Sequence, residues 1–223
     1  MATQRHKKHK TDVADALRRA YVLLRARHEH LGWWPGETPF EVCVGAILTQ
    51  NTAWVNVERA IANLRRAGVL DPHRMFALDQ SALGELIRPA GYFNVKARRL
   101  HEFLRVLVGE FRGDISALMR GDTAAVRHRL LAIHGIGPET ADSMLLYAGA
   151  HCSFVIDAYT KRIFSRHDWC EADVDYADLQ ALCESSLDEK PRDATLDYWQ
   201  DYHAQLVETG KNFCRPREPR CDA

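Results

Sequence analysis

Leu131-Ala132-Ile133-His134-Gly135-Ile136-Gly137-Pro138-Glu139-Thr140-Ala141 is the stretch that decides how this chain of 223 residues is built. An apolar run with helical spacing stops at Gly-x-Gly, and a second helix is expected to start at once. Glycine allows a tight turn with positive φ, which is expected at Gly137. Pro138 suits the first turn of the new helix, where its missing N–H costs nothing. A hairpin of this kind offers backbone N–H groups beside a helix N-terminus, a ready site for a phosphate. Gly135, Ile136, Gly137 and Thr140 are therefore candidates for holding a nucleic-acid backbone without reading its sequence. Taken alone, the same residues also fit an ordinary joint between two helices.

Twenty residues beyond Gly137, the apolar Phe154-Val155-Ile156 runs into Asp157-Ala158-Tyr159-Thr160-Lys161. Asp157 reads as a helix N-cap accepting from backbone N–H groups. A carboxylate in that place stays ionised, because the helix dipole favours the anion.

Three further segments belong with these two: Gly32-Trp33-Trp34-Pro35, then Gly45-Ala46-Ile47-Leu48-Thr49-Gln50-Asn51-Thr52, then Arg88-Pro89-Ala90-Gly91-Tyr92-Phe93-Asn94-Val95-Lys96-Ala97. Together they make the chain resemble the helix-hairpin-helix DNA glycosylases, the superfamily of endonuclease III. Within it, they are most similar to the bacterial 3-methyladenine DNA glycosylases. The likeness runs from about Trp33 to the C-terminus. It implies an all-α fold of two helical lobes with the catalytic cleft between them.

Periodicity agrees with the all-α reading. Leu17, Tyr21, Leu24 and Leu31 recur at helical spacing after a cap expected at Thr11-Asp12. Gly32 to Pro39 reads as a loop, and the pattern is helical again from Phe40. No run alternates as a strand would. Residues 1–10 are polar and basic and read as a flexible tail. The expected organisation is this tail, then residues 11–37 and 148–223 as one lobe, and residues 38–147 as a central lobe ending in the hairpin.

Composition narrows the partners. The 30 basic and 30 acidic residues cancel, which argues mildly against a nucleic-acid binder. Their distribution answers the objection: residues 88–137 carry nine Lys/Arg against four acids, and residues 168–201 carry eleven acids against two bases. One basic and one acidic face can hide in a neutral sum. No apolar run approaches a membrane span and no leader opens the chain, so a cytoplasmic, nucleoid-associated bacterial protein is expected, monomeric and acting on damaged double-stranded DNA.

The resemblance also assigns roles. Asp157 becomes the catalytic anion, stabilising positive charge that develops on the sugar as the N-glycosidic bond breaks. Glu139 stands where the endonuclease III branch carries its lyase lysine. A carboxylate cannot form that Schiff base, so a monofunctional enzyme is expected, with Glu139 either an ordinary first-turn residue or near the base pocket. Trp33, Trp34 and Trp54 are candidate stacking walls for a flipped, cationic alkylated purine. At least one of the adjacent tryptophans could equally clamp the loop to the core. Gln50 and Asn51 are candidates to fill the gap left by the base, with a helix cap as the alternative for Asn51. Gln205 stands where some relatives place a lysine close to the base.

Cys214 and Cys221 match the first two positions of an iron–sulfur pattern, and the chain stops where the third would follow. A four-iron cluster needs four thiolates. No metal is supported as written, and a [4Fe-4S] cluster is expected only if a longer chain supplies two more cysteines. The competing functions are a monofunctional glycosylase for uracil or mismatched thymine, and a non-enzymatic helix-hairpin-helix DNA-binding protein.

Overall fold

The computed structural model describes residues 2–187 and 191–222, with side chains from residue 12 onward apart from that of residue 192. Its described elements are helical: α1 (Ala2–His28), α2 (Pro39–Leu48), α3 (Trp54–Arg66), α4 (Pro72–Phe76), α5 (Gln80–Leu86), a 3₁₀ turn at Arg88–Ala90, α6 (Phe93–Phe111), α7 (Ile115–Leu118), α8 (Thr123–Leu131), α9 (Pro138–Tyr147), α10 (Ala158–Arg166), α11 (Tyr176–Leu187) and α12 (Arg192–Asn212). They divide into two compact units, residues 35–151 and residues 1–34 with 152–223.

Short polar caps start many of the helices. The Thr38 hydroxyl accepts from the Glu41 N–H with Pro39 in the first turn, and Asp71, Asp79, Asp114 and Asp122 cap α4, α5, α7 and α8 in the same manner. Each cap meets an N–H that the helix itself leaves open.

In the central unit α2 is buried on every side from Phe40 to Leu48. It packs on α3, α6 and α9, while α6 also carries α4 and α5. Asp142 on α9 is fully buried and takes both oxygens to Arg127 on α8, at 2.7 and 2.9 Å. His151 closes the unit, its ring nitrogens 2.9 Å from the Met119 carbonyl and 3.1 Å from the Thr123 hydroxyl.

In the other unit α12 is the central member, with α1 and α10 packed on it and α11 packed on α1. Phe154, Trp199 and Tyr202 meet edge to face in its core, and the Tyr202 hydroxyl donates to the Leu17 carbonyl at 2.8 Å. Two expectations change here. Thr11 and Asp12 lie inside α1 rather than at its start, because residues 2–10 hold no glycine or proline and are rich in helix formers. The side chains of residues 1–11, the expected tail among them, lie outside the described residues. Leu31 is not part of the α1 stripe, since the helix ends at His28.

Arg127→Met should destabilise the protein by about 3 kcal/mol, because the buried Asp142 carboxylate loses its bidentate partner. Equilibrium urea unfolding measures this. Adding Asp142→Leu should recover most of the loss.

Candidate active site

Asp157 is the N-cap of α10, and its side chain accepts from the Thr160 N–H at 2.7 Å. Its other oxygen lies 3.6 Å from His203 Nε2 on α12, with side-chain exposures of 11% for Asp157 and 5% for His203. Burial pushes the Asp157 carboxyl up. The adjacent His203 side chain and the Thr160 N–H more than offset this, so the carboxyl is held below its ordinary value. The site therefore presents an ionised, largely desolvated anion, which interacts strongly with any positive charge brought to it.

Other faces of α12 hold the segment that leads into the tryptophans. Asp201, 1% exposed, accepts from the Leu31 N–H at 3.0 Å and from the Tyr21 hydroxyl at 2.9 Å. Burial and this carboxylate push the Tyr21 hydroxyl up, so it remains a donor. Gln205, one turn on, donates to the Glu29 carbonyl at 2.6 Å. Trp33 and Trp34 follow as a half-buried, edge-to-face pair 6.0 Å apart. Gln205 is wholly buried with its amide nitrogen committed to Glu29, so here it acts on the loop that carries the tryptophans.

In the central unit the hairpin closes with Ile136 N–H on the Ile133 carbonyl at 3.1 Å, and Ile136 is buried in the core. Positive φ falls at Gly135 (φ +90) and not at Gly137 (φ −92), which corrects the sequence expectation. The reason is the division of labour in the turn: Gly135 reverses the chain, while Gly137 is the extended N-cap of α9. A Cβ on Gly135 would also run into the Arg99 side chain, whereas Gly137 faces open space.

Gln50 is drawn into this hairpin. Its amide nitrogen donates to the Gly135 carbonyl at 3.1 Å and to the Thr140 hydroxyl at 2.9 Å, while Arg99 donates to its oxygen. Gln50 thus ties the end of α2 to the hairpin. Asn51 is exposed with φ +54, a conformation asparagine tolerates better than most. It does not cap α3, whose N-cap is Ala53 without a side-chain bond. Trp54 is half-buried and donates from Nε1 to Glu58 at 2.9 Å. Glu139 is exposed in the first turn of α9.

Two residues gained meaning only from the fold. Lys96, 1% exposed, donates to the carbonyls of Leu48 at 2.9 Å and Ala90 at 2.7 Å, and burial pushes its ammonium down to about 8. It thereby fastens the start of the Gln50–Asn51 segment beside the turn that carries Tyr92. Tyr92 is 72% exposed and adopts φ +45. A large aromatic exposed on a strained turn was the available signal, hidden in the sequence by its place inside a helical motif.

The basic stretch is largely occupied. Lys96, Arg99, Arg127 and Arg129 donate within the unit, and Arg88 and Arg105 pair with Glu85 and Glu102. Among the described residues no group of three or more His, Cys, Asp or Glu is gathered as for a metal ion, and no helix is long and apolar enough to cross a membrane. Cys214 Sγ accepts from Arg166 at 3.3 Å and Cys221 is exposed. With Cys43 and Cys183 buried in the two cores, the thiols present do not fit a four-iron cluster.

Gly135→Ala should cost about 1–3 kcal/mol in thermal or urea unfolding, since it combines a left-handed φ with a steric conflict. Gly137→Ala should change stability by no more than about 0.5 kcal/mol. The reverse order would place the turn at Gly137.

Residues 44–189 match the family described as HhH-GPD superfamily base excision DNA repair protein. The chain is 43% identical over 215 residues to a protein of Methanocaldococcus jannaschii whose name assigns it, provisionally, to the DNA repair glycosylases, covering 96% of this chain and 94% of that one. It is 26% identical over 184 residues to endonuclease III of Thermotoga maritima, covering 82% and 78%. Among solved structures, H. pylori 3-methyladenine DNA glycosylase bound to 1,N6-ethenoadenine superposes with a TM-score of 0.75 at 28% identity, covering 91% of this chain and 97% of that one. A non-covalent endonuclease III–DNA complex superposes with a TM-score of 0.79 at 18% identity, covering 94% and 91%, which speaks for the fold alone.

Proposed function

The chain belongs to the HhH-GPD superfamily of base excision DNA repair proteins, and on that premise we propose that it is a monofunctional DNA glycosylase releasing N-alkylated purines such as 3-methyladenine from double-stranded DNA. The observation that carries the reading is Asp157: an ionised carboxylate, nearly buried, pinned at the N-terminus of α10. As the bond between C1′ and the base nitrogen breaks, positive charge spreads over C1′ and the ring oxygen. A preorganised anion in a site of low dielectric stabilises that charge. Water then forms the new bond to C1′, and Asp157 orients it and takes up its proton. An alkylated purine already carries positive charge and departs neutral, so no protein acid is needed to drive it off.

Two features support the finer parts of the proposal. Glu139 occupies the hairpin position at which a lysine would attack C1′, and the hairpin segment 134–141 contains no amine side chain. Trp33 and Trp34 stand on a loop held by α12, the helix that also carries the neighbour of Asp157. Indole faces attract a cationic ring, and the likeness to H. pylori 3-methyladenine DNA glycosylase, bound to a modified adenine, points to the same substrate class. Trp54 is proposed as a further stacking face, and Asn51 with Tyr92 as the residues that fill the gap in the base stack. The N–H groups at Gly135–Thr140 would grip phosphate.

Asp157→Asn should lower single-turnover base release about a hundredfold or more while DNA binding persists. The direct test is a panel of duplexes, each with one damaged base, incubated with the wild type and analysed with and without alkali. Release of 3-methyladenine with nicks only after alkali, and no borohydride-trapped adduct, is expected. Release of uracil or thymine in its place would transfer the site to neutral pyrimidines, and a trapped adduct would show a lyase.

Alanine at the tryptophan that stacks, Trp33, Trp34 or Trp54, should cost about 1–3 kcal/mol in transition-state stabilisation, with phenylalanine milder. Melting temperatures separate this from a loosened loop. Parental rates in all three folded alanine variants would remove the aromatic pocket.

A further inference from the structure

The proposed reaction rests on one carboxylate, yet Asp157 is held at a single oxygen by the backbone. Oδ1 accepts the Thr160 N–H, with the Thr160 side chain also favouring the ionised carboxyl, and a donor on one oxygen does not by itself fix the plane of the carboxylate. The group facing Oδ2 is His203 Nε2, 3.6 Å away. An ionised carboxylate can only accept, so a hydrogen bond between the two requires the proton on Nε2. Catalytic hydrogen bonds are often long in the unliganded enzyme and tighten around the reacting groups.

His203 is placed for this by packing that the tryptophan loop does not use. Asp201 and Gln205 are one turn apart on α12 and face residues 29–31. His203 projects from another side of the helix, the side that meets α10. Gly210, two turns further on, lies on that same side and lets the Tyr159 ring of α10 come close; a Cβ there would stand 2.5 Å from it. Arg162 of α10 donates to the Gly210 carbonyl at 2.9 Å and to the Cys214 carbonyl at 2.7 Å. The two helices are therefore locked together two turns from His203, and the imidazole has little freedom to leave Asp157. Arg25 and Asp201 face each other, and Arg162 is engaged by the carbonyls just named.

We propose that His203 is a positioning residue of the glycosylase reaction, its Nε2–H holding Oδ2 while the Thr160 N–H holds Oδ1, so that the plane of the Asp157 carboxylate is fixed toward the sugar and the attacking water. Two donors on two oxygens define an orientation, and each oxygen keeps a lone pair for the reaction. The inference rests on the reading of Asp157 as the catalytic anion. It adds the group that aims it, on a residue that carried no signal in the sequence.

Glutamine and asparagine discriminate, because the glutamine amide nitrogen reaches about as far as Nε2 and that of asparagine stops at the position of Nδ1. His203→Gln should keep the single-turnover rate on a 3-methyladenine duplex within about threefold of the wild type. His203→Asn should lose tenfold or more in that rate, with DNA binding changed less than twofold and a melting temperature like that of His203→Gln. In an Asp157→Asn background the two His203 variants should have equal rates. Equal rates for His203→Gln and His203→Asn in the wild-type background, whether both high or both low, would overturn the positioning role. So would a loss in His203→Asn that persists undiminished beside Asp157→Asn. Full activity of Asp157→Asn alone would instead overturn the reading of the site itself. If His203→Asn does not fold, His203→Ala takes its place in the comparison, with the same loss of tenfold or more expected and a rate equal to that of His203→Gln overturning the proposal.

Discussion

A carboxylate taken out of water must be met by donors, and in this protein that demand does much of the organising. Leaving such a charge unanswered costs several kcal/mol. Asp142 draws Arg127 from α8 onto α9, and Glu41 draws Arg65 from α3 onto α2. Asp201 draws the Leu31 N–H and the Tyr21 hydroxyl onto α12. Asp157 draws the Thr160 N–H and the side chain of His203. In the first two cases the answer is a guanidinium, so charge is neutralised and the result is structural. For Asp157 the answer is a backbone N–H on one oxygen and the His203 ring 3.6 Å from the other, with no guanidinium bound across both oxygens.

That difference sets Asp157 apart from Asp142 and Glu41 as the buried acid with charge to offer. A bidentate guanidinium occupies both oxygens of its partner. A helix cap occupies one, and does so with an N–H that the helix had to satisfy in any event. Asp157 thus serves the stability of α10 and offers its charge at the same time. The two roles are not alternatives, because a cap and an electrostatic catalyst need the same thing, an ionised group held in place.

α12 links the parts of the site that lie in its unit. One side of it pins the chain entering Trp33 and Trp34, and another supports Asp157. In the central unit the corresponding work falls on Gln50, Arg99 and Lys96, which bind the end of α2 to the hairpin and to the turn before α6. Gln50 and Gln205, residues that look from their chemistry like ligand contacts, hold loops in this structure. Residues without such a signal, His203, Lys96 and Tyr92, take up positions of consequence.

The sequence by itself determined the elements and their punctuation. Helical spacing, the prolines and aspartates at helix starts, and the glycines between them follow local rules, and local rules are readable in order along the chain. The hairpin, the Asp157 cap and the all-α class were legible for that reason. So was the family, through motifs whose residues are close neighbours in sequence. What only the tertiary structure decided is the partner of each polar group. Gln50 meets Thr140 across 90 residues and Lys96 meets Leu48 across 48, separations over which no periodicity operates. The place of positive φ at Gly135 rather than Gly137 was likewise out of reach, because both glycines allow it and the fold makes Gly135 the reversal and Gly137 the extended N-cap of α9. A side chain's chemistry is local, but what it is free to do depends on which donors and acceptors the fold has already set against it.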